Sequence, residues 1–323
     1  MNHLLPRRTA AGFALGLVAC LGLSACSGAA EAEPEADVAA TRTVETNDGP
    51  VEVPAEPLRV AALDNTSFAT LKAFGITPVA VPKTLLPAEG YADWASDESI
   101  ADAGSHREPV LEAISEAEPD LIIGGYRFAE QTAELSKIAP TIDVSPSAEA
   151  EGGFVESLKT QTTTLGEVFG REDEAAELVA ALEQAQEAAA AQTNGESVFL
   201  AVASGGHIDN GSERLGRITE PLGLTNVLEA EGDSIHNDSG LAPETIAQLN
   251  PDWMIVLDRD AATGADASAS PAQQLVSEQE AWKDTTFITQ DHVIYLPAMF
   301  YVTEGIQAYT DVYGQIADAF SAA

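Results

Sequence analysis

The sequence predicts an α/β protein of two similar lobes, and three observations carry that expectation. Short apolar runs stand at Val60–Leu63, Leu121–Ile123, Val198–Val202, Trp253–Leu257 and Val293–Leu296. They lack the polar alternation of a strand with one wet face, so each reads as a strand buried on both faces. Helix-like stretches alternate with these runs, the order expected of α/β. The third observation is an internal echo. Residues 112–123 read Glu-Ala-Ile-Ser-Glu-Ala-Glu-Pro-Asp-Leu-Ile-Ile, and residues 244–255 read Glu-Thr-Ile-Ala-Gln-Leu-Asn-Pro-Asp-Trp-Met-Ile. In both, a glutamate starts a short helix, Pro-Asp breaks it seven residues later, and a buried strand follows at once. One such unit in each half implies two lobes of related architecture.

Taken from its start, the chain first shows Arg7 and Arg8 ahead of an apolar run, Ala10 to Leu23. That is the charged and then apolar order of a secretory leader, here residues 1–25, and the run is too short for a permanent membrane span. It ends in Leu23-Ser24-Ala25-Cys26, which resembles the lipobox of bacterial lipoproteins. Small residues let the backbone enter a peptidase cleft, and the Cys26 thiol would receive the lipid. This implies a protein anchored by lipid on the extracytoplasmic face of the cell membrane. The alternative is an ordinary signal cleaved near Ala25, with Cys26 incidental. Residues 26–50 are small, acidic and proline-containing, cannot bury a core, and read as a solvated tether.

Residues 51–150 form the N-terminal lobe in this reading. The bridge follows at 151–171, where Phe154, Leu158, Leu165, Val168 and Phe169 recur at helical spacing and Gly170 can stop the helix. Residues 172–323 form the C-terminal lobe, opening with a helix from about Glu172 to Gln192. Its early acids suit the positive end of the helix dipole, and Leu178, Val179 and Leu182 share an apolar face. No Gly/Pro-rich linker separates the halves, so a rigid helical connection is expected.

Composition excludes several functions. The chain has 52 Asp and Glu against 15 Lys and Arg, a net charge of −37. A phosphate backbone needs a cationic face, so nucleic acid is excluded as a partner. The two cysteines, Cys20 and Cys26, lie in the leader and at its end, leaving no thiol for a disulfide or a cysteine metal site. The later histidines, His106, His207, His236 and His292, form no His-x-x-x-His pair, which argues against capture of bare zinc or manganese. There is no Gly-x-Ser-x-Gly elbow and no phosphate-binding loop. Gly205-Gly206-His207 is a faint oxyanion-type loop with no nucleophile placed beside it, so an enzyme is not expected; a siderophore hydrolase is the form that rival would take.

In so acidic a chain each arginine is informative. Arg127, Arg214 and Arg259 lie at or beyond the ends of three separate apolar runs, and in open α/β folds the ligand crevice lies outside the carboxyl ends of the strands. A guanidinium stays charged and bonds several oxygens at once. Three converging would balance a trianion such as a ferric tris-catecholate. Ferric iron favours hard oxygen donors, so a tyrosine phenolate, or an imidazole, can complete its shell. Beyond Arg259, Ala261 to Ser270 reads as an exposed loop of small residues.

The segments Pro119-Asp-Leu-Ile-Ile-Gly-Gly-Tyr-Arg127 and Leu135-Ser-Lys-Ile-Ala-Pro-Thr-Ile142 resemble the iron-complex and vitamin B12 binding proteins of ABC importers, and the likeness runs from about Val51 to Phe320. It implies two αβ lobes bridged by one long helix, a ligand in the cleft between them, and no intrinsic cofactor. It also implies a permease docked through one glutamate per lobe, Glu112 and Glu244, by a protein expected to be monomeric. Gly211-Ser-Glu-Arg214-Leu-Gly, Leu257-Asp-Arg259-Asp and His292-Val-Ile-Tyr-Leu with Phe300-Tyr301 are similar to segments of the catecholate-siderophore binders. On that likeness Arg127, Arg214 and Arg259 line the cleft, and Tyr301 and His236 touch the iron of a bound ferric siderophore. Haem, with Tyr301 or His236 as axial ligand, and a corrinoid remain alternatives.

Overall fold

The computed structural model describes residues 40–87, 89–229, 240–263 and 270–323. An antiparallel hairpin, β1 (Thr41–Thr46) and β2 (Gly49–Pro54), precedes the first lobe and lends it Val44 and Val53. The first lobe is a parallel sheet of β3 (Val60–Ala62), β4 (Ala80–Val81), β5 (Ala101–Asp102), β6 (Leu121–Ile123) and β7 (Thr141–Ile142), in the order β5-β4-β3-β6-β7. The second lobe holds β8 (Ser197–Ser204), β9 (His207–Asn210), β10 (Thr225–Asn226), β11 (Trp253–Asp258) and β12 (Val293–Tyr295). Its parallel order is β10-β8-β11-β12, with β9 antiparallel on β8.

The five apolar runs are all strands, and their lack of alternation has the expected cause. Val60, Ala62, Leu121 and Ile123 enter one core, while Ala61, Leu63 and Ile122 enter another on the opposite face. In the second lobe Val198, Leu200, Trp253 and Ile255 face one core and Phe199, Ala201, Met254 and Val256 the other. Each sheet is thus packed on both faces, and its central strands, β3 and β6 in the first lobe and β11 in the second, are buried along their whole length.

The echo extends to the backbone. The short helices Leu111–Glu116 and Pro243–Leu249 are followed by Glu118 and Asn250 at φ +46° and +45°. Proline then stops each helix, and the next aspartate clamps the neighbouring strand. Asp120 accepts the N–H groups of Leu58 and Arg59 at 2.9 Å, just ahead of β3. Asp252 accepts the N–H and the hydroxyl of Ser197, the start of β8, at 2.9 and 2.6 Å. Pro-Asp recurs because each lobe needs the same helix stop and the same pin between adjacent strands.

The helix Gly153–Phe169 joins the lobes. Its Phe154, Val155 and Leu158 enter the second lobe's core, and its Leu165 and Val168 enter the first's. Gly170, at φ +61°, ends it, and the helix Glu172–Ala190 runs back, from Ala175 in the first core to Leu182 and Ala189 in the second. The two approach closely at Gly166, where a Cβ would sit 2.5 Å from that of Ala175.

Asp64, at the end of β3, ties the first lobe to this bridge. Its carboxylate accepts from the Thr66 N–H at 2.9 Å and hydroxyl at 2.7–2.8 Å, and from the amide of Gln161 in the bridging helix at 2.8 Å. Burial raises its pKa to about 7 against the lowering by the Thr66 and Gln161 hydrogen bonds, with Asp143 adding a smaller upward push. A carboxyl whose folded pKa lies above its unfolded value contributes stability fully below the unfolded pKa and loses it as pH rises through the folded one. The shift from 3.8 to about 7 corresponds to on the order of 4 kcal/mol. Wild type is therefore expected to lose stability relative to Asp64→Asn between pH 4 and pH 8, read by urea unfolding. A difference that stays flat with pH would overturn this.

Candidate functional site

The two ends of the echo bring arginines to one place. Arg127 lies eight residues after Pro119, and Arg259 eight residues after Pro251. Arg127 stands in the turn Tyr126–Gln131 beyond β6, and Arg259 opens a one-turn helix, Arg259–Thr263, directly beyond β11. The loop expected from Ala261 is thus helical to Thr263, because Asp258 at the end of β11 accepts the N–H of Ala261 at 2.9 Å. Residues 264–269 lie outside the described residues.

Arg214 arrives by a different route from the expected strand end. Gly205 and Gly206, at φ +61° and +77°, form a tight hairpin turn between β8 and β9, and the Asp260 carboxylate accepts both their N–H groups at 3.0 and 3.1 Å. This is a structural turn rather than an oxyanion-type loop. The chain then enters the helix Ser212–Thr219, which carries Arg214 and Arg217 one turn apart.

The three arginines meet on Tyr301. Its ring centroid lies 4.6 Å from the guanidinium carbon of Arg214, 5.6 Å from that of Arg259 and 5.7 Å from that of Arg127. The Tyr301 carbonyl accepts from Arg214 at 3.1 Å and from Arg127 at 3.5 Å, while its hydroxyl accepts from Arg259 at 3.4 Å. Arg259 also donates to Ser204 at 2.9 Å. The face of the ring attracts cations and spaces them without neutralising them. Arg127 and Arg259 have no ion-pairing carboxylate among the described residues, and Arg127 Nε is buried without a hydrogen-bond partner.

The segment carrying Tyr301 rests on the first lobe. Asn65 donates to the Val302 carbonyl at 2.5 Å, and a Cβ at Gly305 would fall 2.4 Å from the Thr66 carbonyl oxygen. Between them lies Glu304, fully buried and at φ +43°. It pairs with Arg214 at 3.2 Å and Arg217 at 3.9 Å, and accepts from the Tyr126 hydroxyl of the first lobe at 2.5 Å. Burial, then the Glu304 carboxylate, holds the Tyr126 phenol above its usual range, so it donates. Burial opposes the charge on Arg214, but Glu304 and the surrounding tyrosines outweigh it and shift its pKa upward. An inter-lobe cavity of about 560 Å³ adjoins the same segment, lined by Ala69, Pro87 and Tyr91 of the first lobe and Pro297, Met299 and Thr303 of the second.

Nothing in the sequence singles out Glu304, Arg217 or Tyr126. The same holds for His106, whose Nδ1 is buried without a partner and whose pKa is lowered by burial, then by Arg127 and Arg107. His292 stacks on Trp253 with ring centroids 4.1 Å apart. Glu112 and Glu244 stand apart from the cluster, exposed, each the second residue of its helix. His236 and Cys26 lie outside the described residues. Among the described residues no group of three His, Cys, Asp or Glu side chains could hold a metal ion, and no helix is long and apolar enough to cross a membrane.

Comparison with known proteins fits this architecture. A family model described as periplasmic binding protein matches residues 60–299. The petrobactin-binding protein YclQ of Bacillus subtilis is 28% identical over 315 residues, 94% of this chain and 96% of that protein. Its crystal structure superposes with a TM-score of 0.75 over 87% of this chain and 99% of its own. The ferric-anguibactin-binding protein FatB of Vibrio anguillarum is 28% identical over 77% of this chain and 79% of its own length. The catecholate-siderophore binding protein VctP of Vibrio cholerae, 27% identical, superposes with a TM-score of 0.74 over 88% of this chain and 100% of its own.

Proposed function

The chain belongs to the periplasmic binding protein family, and from that premise we propose that it captures a ferric siderophore of the catecholate class and hands it to the permease of an ABC importer. The observation that carries this reading is the pair of guanidiniums, Arg127 and Arg259, left without a carboxylate among the described residues of a chain with 52 acids. Unpaired, partly buried cations are costly to keep. They are explained if an anion occupies the space they face. Arg214 adds a third donor, and Tyr301, on which all three converge, is the first candidate to touch iron. His236 is the second candidate to touch iron. The names of the relatives, petrobactin-, anguibactin- and catecholate-siderophore-binding, agree in ligand class. Binding rather than catalysis is the activity proposed, exercised by a monomer.

Two further parts complete the proposal. Cys26 carries the lipid that holds the protein to the membrane, and Glu112 and Glu244 meet the permease. The tether expected over 26–50 ends before Thr41, because Thr41–Thr46 and Gly49–Pro54 pair as a hairpin that buries Val44 in the first lobe's core. The testing experiment is calorimetric titration of the domain that follows Cys26 with a ferric tris-catecholate, a ferric bis-catecholate, a ferric hydroxamate, haem and cobalamin. Tight, saturable binding of a catecholate complex, with haem and cobalamin silent, is the expected result. Binding confined to haem or cobalamin would overturn the ligand class.

A further inference from the structure

Glu304 is the carboxylate set inside the arginine cluster, and it is held there against two costs. It is fully buried, and its backbone adopts a left-handed conformation at φ +43° that disfavours residues with a Cβ. A buried carboxylate needs paired charge and hydrogen bonds. Here Arg214 and Arg217 supply the charge and the Tyr126 hydroxyl, from the other lobe, a hydrogen bond to Oε2, while Oε1 is buried without a hydrogen-bond partner. A purely structural ion pair would leave the site alone, yet the Arg214 that Glu304 grips is also the guanidinium lying nearest the Tyr301 ring, at 4.6 Å. The carboxylate therefore holds the same Arg214 Nη1 that donates to the Tyr301 carbonyl, and so fixes the guanidinium against Tyr301. It also subtracts one charge from the cage, so that Arg127, Arg214, Arg217 and Arg259 with Glu304 present three net positive charges rather than four.

Resting on the siderophore reading above, we infer that Glu304 is the positioning and charge-setting residue of this cage, tuning it toward iron complexes of low negative charge over trianionic ones. A ferric bis-catecholate carries one negative charge and leaves coordination sites open to protein or water; a ferric tris-catecholate carries three and leaves none. The penalty from a nearby fixed carboxylate scales with the ligand's charge, so it weighs most on the trianion. Tyr126 extends the control across the cleft, because its hydrogen bond to Glu304 links the charge-setting group to the turn that carries Arg127.

The test is the ratio of the dissociation constants for a ferric tris-catecholate and a ferric bis-catecholate, measured on folded protein. In Glu304→Gln, which keeps the side chain's size, relative affinity for the trianion should rise about tenfold or more. Glu304→Asp, which keeps the charge, should stay within about threefold of wild type on the same grounds. The double variant Glu304→Gln with Arg217→Gln restores the net charge and serves if the single variant does not fold; its ratio should also stay within about threefold. A loss of structure alone would weaken both ligands together and leave the ratio unmoved. A folded Glu304→Gln with the wild-type ratio, or a double variant shifted tenfold, overturns the inference. Wild type that binds neither complex overturns instead the ligand reading on which it rests.

Discussion

Replacing Arg127 and Arg259 together with glutamine is expected to weaken binding of a ferric catecholate by on the order of a thousandfold while leaving thermal stability unchanged. The size follows from removing two charge-assisted hydrogen bonds to the ligand, each worth roughly 1.5–3 kcal/mol. The unchanged stability follows from what the two side chains do without a ligand. Neither pairs with a carboxylate among the described residues, so removing them strands no buried anion. Arg214 is different. Its loss would leave Glu304 with the Tyr126 hydroxyl and the longer ion pair to Arg217, and truncating one member of a buried pair costs about 3–5 kcal/mol. A variant there would confound binding with unfolding, which is why the pair from the two lobes is the cleaner test. Arg59→Gln is the control. That guanidinium donates to the carbonyls of Ala117 and Glu118 behind the first lobe's short helix, and its removal should leave binding as it was. A folded double variant that binds within about threefold of wild type would end the case for an arginine cage.

Much of this arrangement is legible in the sequence. The five buried strands declare themselves because sheets covered on both faces need unbroken apolar runs, and the bridging helix because its apolar residues keep helical spacing up to Gly170. The Glu…Pro-Asp echo points to two lobes, and followed eight residues beyond each proline it also pairs Arg127 with Arg259. What stays hidden is what depends on distance in sequence. Glu304 is one acid among 52, and only folding brings it to Tyr126, Arg214 and Arg217. The β8–β9 hairpin stays hidden because Gly205-Gly206 suits a tight turn and an anion loop equally; the Asp260 carboxylate that decides it lies more than fifty residues away.

Reversing the charge at both Glu112 and Glu244, to arginine, should abolish uptake of the ferric ligand by cells while leaving the purified protein's affinity intact. The two acids are held alike. Each is the exposed second residue of a short helix, and each helix is closed by a left-handed residue and a proline. In each lobe the following aspartate ties the next segment to the adjacent strand, Asp120 to Leu58 and Arg59, Asp252 to Ser197. Matched acids on matched, strand-anchored helices present two fixed charges whose separation is set by the lobes, which suits a partner that must recognise how the lobes are disposed. Opposed like charges at a docking surface cost several kcal/mol, so one reversal should cut uptake on the order of a hundredfold and two should abolish it. The proposed ligand site lies elsewhere, on Tyr301, so calorimetric affinity should not move. Normal uptake by the double variant would remove docking from these helices, and lost affinity would show that they reach the cleft. The expected outcome separates the protein's two tasks onto two surfaces built by one repeated unit, the helix start facing the permease and the arginine beyond the following strand facing the ligand.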